Sequence, residues 1–207
     1  MKPILLASSN AGKIREMRTL LNAHGYIVHG QDEQGIKGAE ESGRTFVENA
    51  LLKARHAAAI SGMASLAEDS GLCVPALQGA PGLFSARYAG PGATDAENNQ
   101  RLLEQMRALT GASRAAYYIA CMVFMESADD PAPIVAQGFW MGTIGKSLQG
   151  EGGFGYDPLF RPLGGARSAA EWTLAEKNQV SHRAHALRRL LAMLQERQAP
   201  QSLSESD

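Results

Sequence analysis

The chain has 207 residues, with 20 Lys and Arg against 21 Asp and Glu and a formal net charge of −1. Binding to a nucleic-acid backbone requires a surface of predominantly positive charge, which this balanced composition does not indicate. We therefore expect no nucleic-acid partner. The two cysteines, Cys73 and Cys121, stand far apart and predict neither a disulfide framework nor a zinc site. Since no apolar stretch approaches a membrane span or a signal-peptide core, we expect no membrane partner and a cytoplasmic location.

The first third of the chain alternates short apolar runs with amphipathic segments. In chain order the predicted elements are strand 4–7, a helix through 17–21, strand 26–29, helix 45–60, strand 64–67 and an extended piece at 72–74. Thr45 and Glu48 have the spacing of a capping box, which supports the start of the long helix. The strand at 64–67 is expected to end at Glu68 and Asp69, which would put two carboxylates at a strand end.

The rest of the chain adds a hairpin to this pattern. The predicted elements are helix 94–109, strands 117–125 and 134–144, a short strand at 156–160, a short helix beginning at 173 and a last helix over 182–197. Asp129, Asp130 and Pro131 form a turn signal between the two long strands, which predicts an antiparallel pair. The sequence therefore predicts an α/β fold with a mixed β-sheet. Residues 198–207 are rich in Pro, Gln and Ser, which predicts a disordered tail.

The first candidate for chemistry is the segment between the first strand and the first helix. It reads Ser8, Ser9, Asn10, Ala11, Gly12 and Lys13. Free backbone N–H groups and the helix dipole favour an anion there, and a phosphate would explain Lys13, whose charge opposes the dipole. An Asn10 cap followed by an exposed lysine is an equally good interpretation. The segment is not a P-loop, because its first glycine is absent and Ile14 replaces Ser or Thr.

A second candidate is a set of acids that could hold a hard cation through oxygen ligands: Glu40, Glu41, Glu48, Glu68 and Asp69. Magnesium binds to one or two carboxylates, waters and substrate phosphates, and a small acidic set suits that pattern. Capping explains Glu48 and solvation explains Glu40 without any catalysis. A carboxylate that follows an apolar strand is typical of a functional group in an α/β sheet, which favours Asp69.

Two further candidates lie in the last third of the chain. The run 152–158 contains three glycines, which permit close backbone approach, and its aromatics Phe154 and Tyr156 could face a planar ring. Core packing of these two rings is the simpler interpretation. Lys177 is a second cation near the start of a capped helix, and His182 and Arg183 open the last helix.

Taken together, these segments resemble the inosine triphosphate pyrophosphatase family, also called XTP/dITP diphosphatases, which removes non-standard purine nucleotides from the precursor pool. The resemblance extends from Leu5 to about Leu190. The segments that carry it are 7–16, 41–50, 67–72, 79–88, 153–158 and 181–183. Their order and spacing make the resemblance specific, although no single segment would suffice.

The resemblance implies a single domain over residues 1–197, with a long mixed β-sheet, flanking helices and two lobes around a central cleft. It implies a homodimer and Mg²⁺-dependent hydrolysis of ITP, dITP and XTP to the monophosphate and pyrophosphate. Glu41 and Asp69 would bind the metal, and Asp69 would be the general base. The substrate-binding residues would be Ser8, Ser9, Asn10, Ala11, Gly12, Lys13, Ser70, Phe154, Gly155, Tyr156, Asp157, Lys177, His182 and Arg183.

One departure and two alternatives accompany this resemblance. Glu68 stands where most bacterial members have Asp, and its extra length could shift the metal geometry. One alternative is a septum-associated type of pyrophosphatase acting on modified pyrimidine nucleotides, against which Ser181, His182 and Arg183 argue. The other is a nucleotide-binding module that has lost catalysis through the change at Glu68.

Overall fold

The computed structural model describes residues 2–198, in which strands and helices alternate. The strands are β1 (Lys2–Ala7), β2 (Tyr26–Gly30), β3 (Ser65–Cys73), β4 (Ala115–Met125), β5 (Ile134–Ile144) and β6 (Phe160–Pro162). The α-helices are α1 (Ala11–Asn22), α2 (Phe46–Ser61), α3 (Asp95–Gln105), α4 (Leu174–Val180) and α5 (His182–Gln198). Apart from Gln198, which ends α5, the predicted tail 198–207 lies outside the described residues.

The six strands form one mixed sheet in the order β2-β1-β3-β4-β5-β6. β1 pairs in parallel with β2 and β3, whereas the other pairs are antiparallel. The predicted hairpin is confirmed as β4 and β5, whose register runs from Ala115 opposite Thr143 to Phe124 opposite Ile134. The predicted α/β fold with a mixed sheet and flanking helices is thereby confirmed. Within residues 2–198, no helix combines the length and the apolar character needed to cross a membrane.

Helices cover both faces of the sheet because its central strands carry apolar side chains on both sides. α1 and α5 pack on one face, where Met17 and Leu187 join a buried cluster with Met122. α2 packs on the other face, where its small residue Ala54 lies in a buried cluster with Val123. Such two-sided burial is expected of strands in the middle of an α/β sheet.

Helix α5 approaches the sheet unusually closely at Gly138 on β5. A Cβ atom at this position would lie 2.1 Å from the carbonyl oxygen of His182 and 2.3 Å from the backbone nitrogen of Ala186. No side chain fits in that space, so glycine allows backbone to pack directly on backbone. The contact places the first residue of α5, His182, against the sheet.

The prediction that Glu68 and Asp69 end a strand is wrong, because β3 continues through Cys73. Every residue of β3 pairs with β4, and this ladder satisfies the backbone where the sequence reads as polar loop. β1 ends at Ala7, which pairs with Ala67. The two carboxylates therefore lie in mid-strand but just past the carboxyl end of the neighbouring parallel strand.

The short strand predicted at 156–160 is also wrong in its bounds. Residues 154–159 form turns, and the carbonyl oxygen of Tyr156 accepts hydrogen bonds from the N–H groups of Leu159 and Phe160, each at 2.9 Å. Gly153 and Gly155, which precede the predicted strand, have positive φ values of 76° and 61° and lead into these turns. The strand β6 therefore begins only at Phe160.

Candidate active site

A cavity of about 380 Å³ lies beside residues 68–71 of β3 and brings together residues from distant parts of the chain. The predicted site residues that line it are Ser8, Ser9, Asn10, Lys13, Glu41, Asp69, Ser70, Phe154, Gly155, Tyr156, Asp157, Lys177, His182 and Arg183. Of the other two, Ala11 is the first residue of α1, and a Cβ atom at Gly12 would lie 3.1 Å from the Phe154 ring. The structure therefore groups the predicted residues around a single space.

The start of α1 has an Asn10 cap, as one interpretation of the sequence predicted. The side-chain oxygen of Asn10 accepts the N–H of Lys13 at 3.0 Å. The first helical bond runs from the N–H of Ile14 to the carbonyl oxygen of Asn10. The N–H groups of Ala11 and Gly12 precede that bond, so this helix end retains donors for an anion.

Arg183 lies at the centre of the buried charges. Its Nε donates to both carboxylate oxygens of Glu68 at 3.0 Å, and its Nη1 donates to Glu16 at 2.9 Å. Its Nη2 donates to the hydroxyl of Ser70 at 3.2 Å, and its guanidinium carbon lies 5.1 Å from the centre of the Phe154 ring. Arg183 is therefore held in one orientation by two acids, a hydroxyl and an aromatic face.

Two lysines extend this group at its ends. Lys13 Nζ lies 3.5 Å from Glu68. Lys177 Nζ donates to Asp157 at 2.6 Å and lies 3.9 Å from Glu16. Three acids and three cations thus alternate in what we call the ion-pair chain: Lys13, Glu68, Arg183, Glu16, Lys177 and Asp157. Its formal charges balance, which is how a protein tolerates charges removed from water.

The pKa values within this chain follow from burial and from the neighbouring charges. Burial alone would raise the pKa of Glu68, but the charges of Arg183 and Lys13 outweigh it and lower that pKa to about 2. Burial lowers the pKa of Lys13, and the charge of Glu68 offsets this only in part. Glu68 is therefore a firmly charged carboxylate at neutral pH.

Asp69 belongs to a different group on the opposite face of β3, since neighbouring residues of a strand point to opposite faces. Lys53 Nζ donates to Asp69 Oδ1 at 2.9 Å and to Glu41 at 3.2 Å. Asn49 Nδ2 donates to Asp69 Oδ2 at 3.2 Å. Both carboxylate oxygens of Asp69 thus have a partner on α2. Glu68 pairs instead with Arg183 and Lys13.

Lys53, Asn49 and Glu16 are site residues that the sequence interpretation missed. The signal for the first two was present in α2, where Asn49 and Lys53 are four residues apart on a buried face otherwise made of alanine. Polar residues on such a face require hydrogen-bond partners on the strand against which the helix packs. Glu16 gave no comparable signal, because the buried Met17 is its next neighbour on α1 and adjacent helical residues do not share a face.

The other acids of the predicted cation-binding set differ in their surroundings. Glu48 accepts the N–H of Arg44 at 2.7 Å and the hydroxyl of Thr45 at 3.1 Å, which confirms its predicted capping role. Glu40 is exposed. Across residues 2–198, no three His, Cys, Asp or Glu side chains group so that they could hold a metal ion by themselves. Glu41 and Asp69, which share Lys53, offer two hard oxygen ligands, a set that fits Mg²⁺ when waters and phosphates supply the rest.

His182 forms part of the wall of the cavity. Its ring stacks on Tyr118 with centroids 4.8 Å apart and 11° between the planes, and on Trp140 at 6.5 Å and 16°. Burial first, and then the charge of Arg183, hold the pKa of His182 well below its usual range. Its Nδ1 is buried without a hydrogen-bond partner among the described residues. His182 is therefore a neutral imidazole with one ring nitrogen unpaired within residues 2–198.

The two aromatics of the glycine-rich run differ in their surroundings. Tyr156 is buried in the core and its hydroxyl donates to the carbonyl oxygen of Ser85 at 2.8 Å, as the core-packing interpretation predicted. Phe154 is only half-buried, and its ring lies near the cations of Lys177 and Arg183, at 5.5 and 5.1 Å. Phe154 is therefore the ring that remains available at the cavity.

Both the sequence and the fold of this chain are similar to those of known proteins. The Ham1 family model matches residues 4–193. A protein of Salmonella paratyphi A named dITP/XTP pyrophosphatase is 47% identical over 194 residues, which cover 94% of this chain and 98% of the relative. The structure of a HAM1 protein from Coxiella burnetii has a TM-score of 0.86 and 46% identity, covering 95% of this chain and 100% of that one. A structure from Mycobacterium abscessus, named nucleoside-triphosphatase or dITP/XTP pyrophosphatase, has a TM-score of 0.74 and 38% identity, covering 91% and 98%.

The buried charge of Glu68 leads to a prediction about stability and pH. Glu68→Gln keeps the shape but leaves Arg183 short of a counter-charge, so we expect a loss of about 3–5 kcal/mol in the free energy of unfolding at pH 7. The pKa of Glu68 falls from its usual 4.5 to about 2 on folding. The charge therefore stabilises the fold fully above pH 4.5, and this contribution is lost as the pH falls toward 2.

Urea unfolding of the wild type and the variant between pH 7 and 3 measures this difference, which is expected to shrink below pH 4.5. Glu104→Gln is the control, because Glu104 is exposed and its ion pair with the similarly exposed Arg101 is long, at 4.0 Å. Its effect is expected to stay within about 0.5 kcal/mol. A Glu68→Gln effect that is the same at every pH would contradict the role of the charge.

Proposed function

The chain belongs to the Ham1 family, and from this we propose that it is a hydrolase of phosphoric anhydrides. Its reaction is the hydrolysis of non-standard purine nucleoside triphosphates, namely ITP, dITP and XTP, to the monophosphate and pyrophosphate. The observation that carries this proposal is a single cavity lined by a helix start, three lysines and a carboxylate pair. These are the groups that hydrolysis of a nucleoside triphosphate requires.

The triphosphate is proposed to bind at the start of α1, between Lys13 and Lys177. Ser8, Ser9 and the N–H groups of residues 10–12 would donate to its oxygens. Both lysines are engaged with acids of the ion-pair chain, so a phosphate that binds them competes with Glu68 and Asp157. A triphosphate is suited to that competition, because it carries several negative charges that attract the two ammonium groups as the carboxylates do.

Magnesium is the proposed cofactor, held by Glu41 and Asp69. When bound, it would neutralise part of the charge of the phosphates and polarise their oxygens. In this structure the ammonium group of Lys53 lies between the same two carboxylates, where the proposed Mg²⁺ would bind. The side chain of Lys53 would then turn to a phosphate oxygen or remain with one of the acids.

Asp69 is proposed to accept a proton from the water that attacks the α-phosphorus, after which pyrophosphate leaves. Its two oxygens are oriented by Lys53 and Asn49, and a fixed orientation is what a general base requires. Asp69 is only 7% exposed, which limits competing bulk water.

The base is proposed to bind between Phe154 and the wall formed by His182. Hypoxanthine and xanthine carry an acceptor at position 6, where adenine carries an amine. A donor from His182 would match the first two bases and leave the third unsatisfied. Arg183, the other candidate, has its Nε and one N–H of each terminal nitrogen engaged within the protein. We therefore assign the main contact to His182.

We also propose a single domain over residues 1–197 with two lobes on one sheet. Its support is that one buried cluster contains Leu21 and Leu190, while a second contains Leu102 and Phe160 further along the same strands. The free thiols of Cys73 and Cys121 support a reducing cytoplasmic compartment. The balanced charge supports a nucleotide partner rather than nucleic acid or a membrane surface.

A homodimer is the last part of the proposal, and its contact surface is the exposed face of β4 and β5 on the α2 side. Phe139 is 38% exposed and Met141 52% exposed. The ring of Tyr117 lies 5.9 Å from that of Phe139, which extends the same face. An apolar patch of this kind is typical of an interface, and a second copy with the same patch would cover it symmetrically.

The reaction is tested by incubating the protein with Mg²⁺ and ITP, XTP, ATP, GTP or a 5-substituted uridine triphosphate. Phosphate release is measured with and without inorganic pyrophosphatase. Turnover of ITP and XTP that yields phosphate only with the coupling enzyme is the expected result. Preferential turnover of the uridine analogue would establish the pyrimidine alternative, and binding of ITP without turnover would establish the inactive module.

Asp69→Asn in the same assay tests the assignment of the base. Since a general base contributes about 10²- to 10⁴-fold, kcat is expected to fall by that order. The thermal unfolding midpoint is expected to fall less than in Glu68→Gln, because Lys53 keeps Glu41 as a counter-charge at 3.2 Å. Glu48→Gln is the control, an acid of α2 outside the cavity, and should retain turnover. Near-normal kcat in Asp69→Asn would rule out the assignment.

His182→Phe tests the selectivity, because phenylalanine can keep the stack on Tyr118 but has no ring nitrogen. We expect the ratio of kcat/KM for ITP to that for ATP to fall by at least about tenfold. His185→Phe, which removes an imidazole from α5 outside the cavity, should leave the ratio unchanged. An unchanged ratio in His182→Phe would assign the discrimination to another residue.

Sedimentation analysis tests the dimer. The wild type is expected to sediment at twice the mass of the chain, and Met141→Glu at the mass of one chain, because a charge at an apolar interface is costly. Met193→Glu changes a 40% exposed methionine on α5 and should remain dimeric. A monomeric wild type, or a dimeric Met141→Glu, would refute this interface.

A further inference from the structure

Helix α3 holds Gly155, a residue of the nucleotide-site turn 154–157, by both of its backbone polar groups. The N–H of Gly155 donates to Asp95 Oδ2 at 2.6 Å. Its carbonyl oxygen accepts from Asn99 Nδ2 at 2.7 Å. Asp95 and Asn99, which we call the α3 pair, are four residues apart and therefore lie on one face of the helix.

Helix α3 contains two buried asparagines, and their presence is explained by hydrogen bonds to other parts of the fold. Asn98 and Asn99 are adjacent in the helix and are only 2% and 3% exposed. Asparagine is unfavourable in a helix interior, and a buried amide requires partners. Asn98 binds the segment before α3, since its Oδ1 accepts the N–H of Ala89 and its Nδ2 donates to the carbonyl oxygen of Ala86. The two amides thus join α3 to two different walls of the cavity.

The turn 154–157 is held from its other side by the ion-pair chain. Asp157 accepts the N–H of Phe154 at 3.1 Å and the ammonium of Lys177 at 2.6 Å. Gly155, with its φ of 61°, lies between these anchored residues. The ring of Phe154 therefore takes its position from two sets of contacts, one through Asp157 and one through the α3 pair.

We propose that Asp95 and Asn99 are positioning residues, which set the place of Phe154 for the nucleotide by fixing Gly155. This inference rests on the proposed function, because it assigns the turn to nucleotide binding. The α3 pair makes no hydrogen bond with Asp69, whose partners are Lys53 and Asn49 on α2. Loss of the pair should therefore weaken binding more than it slows the chemical step.

Steady-state kinetics of Asp95→Ala with ITP is the first test. We expect KM to rise by about tenfold, the scale of one lost hydrogen bond, with kcat changed by less than about threefold. Asp95→Asn can still accept the N–H of Gly155, so it should recover most of the affinity. Asp95 lines the cavity but Asn99 does not. A matching rise of KM in Asn99→Ala would therefore show that the effect passes through Gly155 and not through direct contact with substrate.

Glu97→Ala is the matched control. Glu97 is also an acid in the first turn of α3, and its carboxylate accepts the N–H of Thr94 at 2.7 Å in a capping box. Its removal weakens the helix start without touching Gly155, so it should lower the unfolding midpoint and leave KM within about twofold. Amide hydrogen exchange of peptides covering 153–158 gives a second readout. Exchange should accelerate in Asp95→Ala and Asn99→Ala but not in Glu97→Ala.

The outcomes separate this proposal from the function on which it rests. A wild type that fails to hydrolyse any nucleotide refutes the proposed function, while the exchange measurement still tests whether the α3 pair holds the turn. An active wild type whose KM for ITP is unchanged by Asp95→Ala and Asn99→Ala overturns the positioning role. An equal rise of KM in Glu97→Ala also overturns it, because helix stability alone would then explain the effect.

Discussion

Much of the molecule is organised around the buried guanidinium of Arg183. It connects α5 to β3 through Glu68 and to α1 through Glu16, so three elements meet at one side chain. Arginine suits this place because its planar group stays charged and donates in several fixed directions. A buried ion pair adds little net stability compared with apolar packing, but removal of one partner is costly. The structural result is a fixed arrangement of these elements around the cavity.

The strand β3 separates two kinds of electrostatics by a single residue. Glu68 faces the cations contributed by α1 and α5, whereas Asp69 faces Lys53 on α2. An extended backbone is required for this, since only a strand turns consecutive side chains to opposite faces. The full ladder with β4 provides that conformation through Cys73. One strand thereby supplies both a structural carboxylate and the proposed reactive one.

The sequence predicted the fold better than it predicted the partners within the site. The hairpin and the long helix α2 were predicted within two residues at each end, because their apolar patterns and the Thr45 cap are local signals. β3 was cut short because its polar residues and Gly71 resemble a loop, and its continuation depends on pairing with β4. Lys53 was missed for a related reason. Its partner Asp69 is 16 residues away, and only packing of α2 on the sheet brings the two together.

The contact at Gly138 bears on how this site tolerates sequence change. Where α5 meets β5 at this point, backbone touches backbone, so the separation of helix and sheet is independent of side-chain volume. Substitutions among the leucines further along α5 can change how densely the helix packs on the sheet without moving its first turn away from β5. The stack of His182 on Tyr118 is therefore insulated from drift in core composition. The geometry of the proposed base-binding wall is thus set at this point by a contact between two backbones.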